Sequence, residues 1–204
     1  MDIIGFALAV LVIELTPGPN MAWLSGLAAT EGKRAGVAAV AGVALGLLVN
    51  GMLAALGLAA LLQVAPWLWS ALQWTGAVMM TFLAIEAWRG ARAKHPPRPA
   101  EQTMRRAFLT GAFINLLNPK AYVFFVAVAP RFLHGDTLSL GNALALAAVS
   151  ASIATLIHLA IVTAGARAQV WLADPRRTAI ARRGFALVML MVAASFVLAD
   201  LTAR

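Results

Sequence analysis

Thr16-Pro17-Gly18-Pro19-Asn20 interrupts the first apolar stretch of this chain, and Asn118-Pro119-Lys120 interrupts the fourth. Each interruption falls inside a run long enough to cross a bilayer, and at a similar depth. Proline has no backbone N–H, so inside a helix it leaves the carbonyl four residues earlier without its partner. Pro17 releases Ile13, Pro19 releases Leu15 and Pro119 releases Asn115. Unpaired carbonyls are costly in hydrocarbon and must face protein, water or a ligand. Each break also reads as a helix start, with Thr16 or Asn118 as N-cap and Pro17 or Pro119 as first residue. Paired breaks in corresponding positions of two halves point to a transport site near the bilayer midplane.

The rest of the chain fits that frame. Of its 204 residues, 62% are hydrophobic and only 12% charged, and mean hydropathy is +0.84. A soluble domain is about 25% charged, so the composition is that of an integral membrane protein. Six segments have the roughly 20 apolar residues a span requires: 3–28, 35–62, 67–89, 107–129, 138–165 and 184–202. A stiff linker, His95-Pro96-Pro97-Arg98-Pro99, divides them three and three. The expected fold is an all-α, six-transmembrane-helix bundle in one domain, 1–204. It is built as two inverted three-helix repeats, 1–89 and 107–204, joined by a cytoplasmic linker at 90–106. The first and fourth helices are the broken ones.

Charge orients the bundle. The net charge is +8, but thirteen of the sixteen basic residues sit in the first, third and fifth loops, from Lys33 and Arg34 through Arg89 and Arg106 to Arg182 and Arg183. Arg131 and Arg204 belong to the opposite side, and Lys120 lies within the membrane. This is the positive-inside pattern and not a nucleic-acid footprint; both termini are expected outside. Met1-Asp2 lacks the basic start of a signal peptide, so the first apolar run reads as a retained helix.

Glu14 and Lys120 are the acid and base set deep in apolar segments, and such charges are functional by default because they are expensive there. They could pair with one another. Alternatively, Glu14 holds a ligand ammonium or carries a proton while Lys120 meets a carboxylate, aided by N–H groups at the helix starts. Asn115 and Asn118 share one helix face, and Asn20 follows the first break. Asn50 needs a partner mid-helix, by interhelical bonding or ligand contact. His158 sits with Ser150, Ser152 and Thr155, as a proton relay or a satisfied interhelical group. Gly42 and Gly46 form a small-residue pair, for packing within the chain or for a homodimer face. There is no cysteine, no histidine cluster and no phosphate-cradling loop, so neither metal, cofactor nor nucleotide is expected. No nucleophile–base pair suggests an enzyme.

Leu15-Thr16-Pro17-Gly18-Pro19-Asn20-Met21, Phe108-Leu109-Thr110-Gly111 and Asn115-Leu116-Leu117-Asn118-Pro119-Lys120-Ala121, with 46–58 and 76–89, carry a family likeness. The chain resembles the LysE/RhtB family of bacterial amino-acid exporters over nearly its whole length. The resemblance implies efflux of amino acids or close derivatives across the bacterial inner membrane, driven by proton influx. It centres the site on Pro17, Gly18, Pro19, Asn20, Asn118, Pro119 and Lys120. Asn50 stands where many relatives have histidine, and Met79 and Phe82 where many have tyrosine; these changes remove a titratable group and two hydroxyls. With one embedded acid, a neutral amino acid is the expected substrate. The rival readings are an exporter of another small solute or a metal ion, and a membrane scaffold without transport.

Overall fold

The computed structural model describes residues 1–16, 18–58, 61, 64–91, 99–133, 139–172 and 174–202. Pro17, most of the proline-rich linker (92–98) and Arg204 lie outside the described residues. Among the described residues eight α-helices follow in order: α1 (Ile3–Leu15), α2 (Pro19–Glu31), α3 (Lys33–Leu53), α4 (Pro66–Gly90), α5 (Ala100–Leu116), α6 (Pro119–Val123), α7 (Leu140–Trp171) and α8 (Pro175–Thr202). Among the described residues there is no strand. α3 widens into π-helical turns over Ala54–Leu58, ending at Gly57 with φ 97°. α6 runs on through similar turns at Phe124–Val128 into a 3₁₀ turn at Ala129–Phe132.

Four of these helices are long and apolar enough to cross a membrane: Lys33–Gly57, Trp67–Gly90, Leu140–Ala168 and Pro175–Thr202. α1 and α2 meet the same length and composition only as a pair, bent by 58° at the first break, so the candidate spans number four or five. The fourth segment, 107–129, departs from expectation. It is divided at Leu117–Asn118 into α5 and the short α6, and neither piece is a span of that kind. Hydropathy marks the bilayer core and misses helix that projects beyond it. Hence α5 starts at Ala100, inside the stretch expected as linker. The basic stretch from Arg176 to Arg183, expected as loop, is the first part of α8. Asp174 starts that helix by accepting the Arg176 N–H on Oδ1 at 2.7 Å, with Pro175 as its first residue.

Two ends of the bundle are defined by contacts. At one end Arg182 of α8 donates to Glu31 of α2 at 3.0 Å, Arg106 of α5 pairs with Glu86 of α4, and Arg183 lies over Trp88. This is where the basic helix ends gather. At the other end the Asp2 N–H donates to the Phe132 carbonyl at 2.8 Å, and Trp74 Nε1 donates to Asp200 at 3.1 Å. The first and last helices therefore have their outer termini on the same side.

Between the ends, α3 packs along α5 and α7, α2 along α7, and α4 along α8. The α3–α5 contact is close because glycines face backbone. A Cβ on Gly42 would collide with the Phe108 carbonyl, one on Gly111 with the Ala39 carbonyl, and one on Gly46 with Asn115 and the Ala112 carbonyl. Gly42 and Gly46 thus serve packing within the chain. Asn50, two turns beyond Gly42 on the same face, is carried against Asn115.

Candidate functional site

The two breaks start their second helices differently. Asn118 caps α6 as its sequence suggests: its backbone is extended (φ −86°, ψ 108°) and its Oδ1 accepts the Lys120 N–H at 3.1 Å, with Pro119 at the first helical position. The first break is offset. α2 begins at Pro19 with Gly18 as N-cap, extended at φ −153° and ψ −179°, and no side chain caps it. Thr16 instead closes α1, and its hydroxyl donates back to the Val12 carbonyl at 3.1 Å. Of two prolines in one short motif, the second is the first helical residue, where its missing N–H costs no intrahelical bond.

Two of the carbonyls that the prolines release, those of Ile13 and Asn115, are met from the opposite half of the chain. Lys120, beside the second break, donates from Nζ to the Ile13 carbonyl at 2.6 Å and to the Thr16 carbonyl at 3.0 Å. Asn50, in the first half, donates from Nδ2 to the Asn115 carbonyl at 3.2 Å. Asn20, just past the first break, donates to Asn115 Oδ1 at 2.9 Å. Each break is therefore held by a side chain belonging to the other. A lysine at the carbonyl end of α1 also suits the negative end of that helix dipole.

These contacts surround a small cavity lined by Glu14, Gly18, Pro19, Asn20, Asn115, Asn118, Lys120, Ser150 and His158, with Val10, Leu47, Phe124 and Phe125 as apolar wall. Its free volume is about 30 Å³, room for a water or two. Glu14 faces His158, with Oε2 3.6 Å from Nε2. Asn50, Asn115 and His158 are almost wholly buried, and Asn20, Asn118 and Ser150 nearly so. Four buried polar atoms of its lining residues have no hydrogen-bond partner among the described residues, Asn20 Oδ1, Asn115 Nδ2, Ser150 Oγ and His158 Nε2, and neither has Asn50 Oδ1, on the amide that bonds the Asn115 carbonyl. Leaving such a group unsatisfied costs about 1–3 kcal/mol. A cluster of them around one cavity marks a place built for polar company. Ser152 is not part of it; it is exposed and bonds its own helix at Ala148.

Aromatic side chains close the cavity on the side of the chain termini. Phe6 lies 5.1 Å from Phe124 and 5.8 Å from Phe132 between ring centroids, and Phe125 packs edge-on against Phe124. Sequence reasoning missed this seal. The available signal was the run of aromatics directly after the second break, where a substrate path would need closing.

Membrane-spanning helices around a buried polar cavity, built where two interrupted segments face each other, define a membrane transport protein. The chain belongs to the LysE type translocator family, whose description matches residues 11–200, and it is a multi-pass protein of the bacterial inner membrane. It is 27% identical over 190 residues to the homoserine/homoserine lactone efflux protein of Salmonella typhimurium, covering 93% of this chain and 92% of that one. It is 29% identical over 181 residues to an uncharacterized membrane protein of Pseudomonas aeruginosa, covering 85% and 84%. To the threonine efflux protein of Escherichia coli it is 28% identical over 137 residues, covering 65% and 66%. No solved structure matches the chain.

Proposed function

We propose that this protein exports a small neutral amino acid, or a close derivative, from the cytoplasm in exchange for protons, with the cavity between the breaks as its binding site. The observation that carries this reading is the cavity's inventory. Glu14, Lys120 and His158 supply both signs of charge, and unpartnered amide, hydroxyl and imidazole atoms surround them. Two of the three Lys120 N–H donors are engaged by Ile13 and Thr16; the third suits a carboxylate. Glu14 binds either the substrate ammonium or a proton shared with His158. Because one carboxylate cannot do both at once, loading substrate displaces the proton, and this competition couples the two fluxes.

Asn20 Oδ1 is an unpartnered acceptor and Asn115 Nδ2 an unpartnered donor on amides that already bond each other. A hydroxyl satisfies both. This favours a hydroxylated substrate, in line with the relatives named for homoserine and threonine. Thr16, Gly18, Pro19, Asn118 and Pro119 shape the site through backbone, and Asn50 holds the second break in place.

Alternating access is ascribed to two inverted three-helix repeats. Packing supports this: the first broken segment lies on α7 as α5 lies on α3, while α3 with α7 and α4 with α8 pair across the halves. The test is efflux of labelled L-threonine, L-homoserine, L-valine and L-lysine from loaded proteoliposomes under an imposed proton gradient. Selective, gradient-dependent release of the hydroxylated pair is the expected result. Equal release with and without the protein would end the proposal, and would leave the scaffold reading in its place.

A further inference from the structure

The basic end of the bundle holds a second cavity that the central site does not use. It has a free volume of about 820 Å³ and lies among α2, α4, α5 and α8. That is within the range of small-molecule sites, whereas the central cavity, at about 30 Å³ in this arrangement of the helices, must widen before it holds an amino acid. Its walls carry two acid–arginine pairs, Glu31 with Arg182 and Glu86 with Arg106. Each pair joins a helix of the first half to a helix of the second. All four side chains are between 24% and 37% exposed, and pairs in such surroundings are weakly held.

We propose that this cavity is a cytoplasmic loading site for the zwitterion of an α-amino acid, separated from the central cavity by Trp23. The inference rests on the amino-acid export reading. Its chemistry is an exchange without net charge: the substrate carboxylate takes an arginine, which offers it a bidentate fork, and the released glutamate takes the substrate ammonium. A solute with a single charge engages one member of the pair and gives the other nothing in return for the bond it breaks. Trp23 lines the cavity and is only 4% exposed. It stands three residues after Asn20, one helical turn and about 4.5 Å along α2. Across from it Thr110, also on the wall, stands five residues before Asn115 on α5. The indole therefore sits between the loading site and the amide pair of the central site.

The chain has no native cysteine, so single thiols report cleanly. Thr110→Cys and, independently, Thr103→Cys place a thiol on the loading-site wall, and Ser150→Cys places one in the central cavity. Each is labelled with a membrane-impermeant maleimide in everted vesicles, beside efflux measured on the parent chain. Thr110→Cys or Thr103→Cys is expected to label, and millimolar L-threonine or L-homoserine to slow that labelling at least threefold, with acetate and choline without effect. Ser150→Cys should label at least tenfold faster when Trp23→Ala is added. Absence of labelling at both wall positions, protection by acetate or choline alone, or an unchanged Ser150→Cys rate in Trp23→Ala overturns the inference. If the parent chain exports amino acids while these fail, the loading site alone is refuted; if it exports none, the export reading fails first.

Discussion

Replacing Lys120 by methionine keeps most of the length of the side chain and removes the ammonium that joins the two breaks. In the folded chain that ammonium bonds the Ile13 carbonyl at 2.6 Å and the Thr16 carbonyl at 3.0 Å. A hydrogen bond to a charged group contributes about 1.5–3 kcal/mol. The Thr16 bond is exposed and, discounted for screening, adds about 0–1 kcal/mol. The Ile13 carbonyl keeps the Thr16 N–H at 3.1 Å, so it is not orphaned by the change. The net loss is about 1.5–4 kcal/mol, or a melting temperature lower by about 3–16 °C for a chain of this size. Thermal unfolding of the purified protein in detergent reads it, and Lys120→Arg should recover much of the loss. A Lys120→Met protein melting at the parent temperature would refute the capping role and leave Lys120 as a ligand group alone. Adding Glu14→Gln sharpens the test. Glu14 faces His158, so the double variant should remain as unstable as Lys120→Met. Recovery of both stability and efflux would show instead that Glu14 and Lys120 exist to neutralise each other.

Glu14→Gln alone should abolish gradient-driven efflux while substrate counterflow persists, since an amide still accepts from an ammonium but carries no exchangeable proton; loss of both activities together would argue against the competition for one carboxylate. Asn20→Leu removes the acceptor proposed for a substrate hydroxyl, and should cut the threonine-over-valine efflux ratio by tenfold or more, because discrimination by a buried hydrogen bond greatly exceeds that by shape; an unchanged ratio places the hydroxyl elsewhere. Gly42→Leu drives a side chain into the Phe108 carbonyl and should cost more than the about 1–3 kcal/mol of ordinary overpacking, seen as lost monodisperse protein on size-exclusion chromatography, whereas Gly184→Leu, at a position where a Cβ meets nothing, should behave as the parent.

Much of this protein is legible in its sequence because the decisive signals are local. Apolar runs, basic helix ends and proline breaks declare a membrane bundle with two interrupted segments, and Asn118-Pro119 encodes its own helix start, since a cap needs only its next two residues. The outlying helical turns at Ala100 and Pro175 carry such local cap and proline signals too, but hydropathy passes over them. What the sequence could not settle was partnership at a distance. Glu14 could equally have met Lys120, beside the other break, yet the folded chain sets it against His158 on another helix. Lys120 could have faced only a ligand, yet it reaches back to Ile13 and Thr16 across more than a hundred residues. The choice between Thr16 and Gly18 as the cap of α2, the fit of Gly42 and Gly111 on facing backbone, and the aromatic closure over the cavity belong to the same class. A local motif states that a carbonyl or a charge needs a partner; only the packing of α3 on α5 and of α2 on α7 decides which group is near enough to be one.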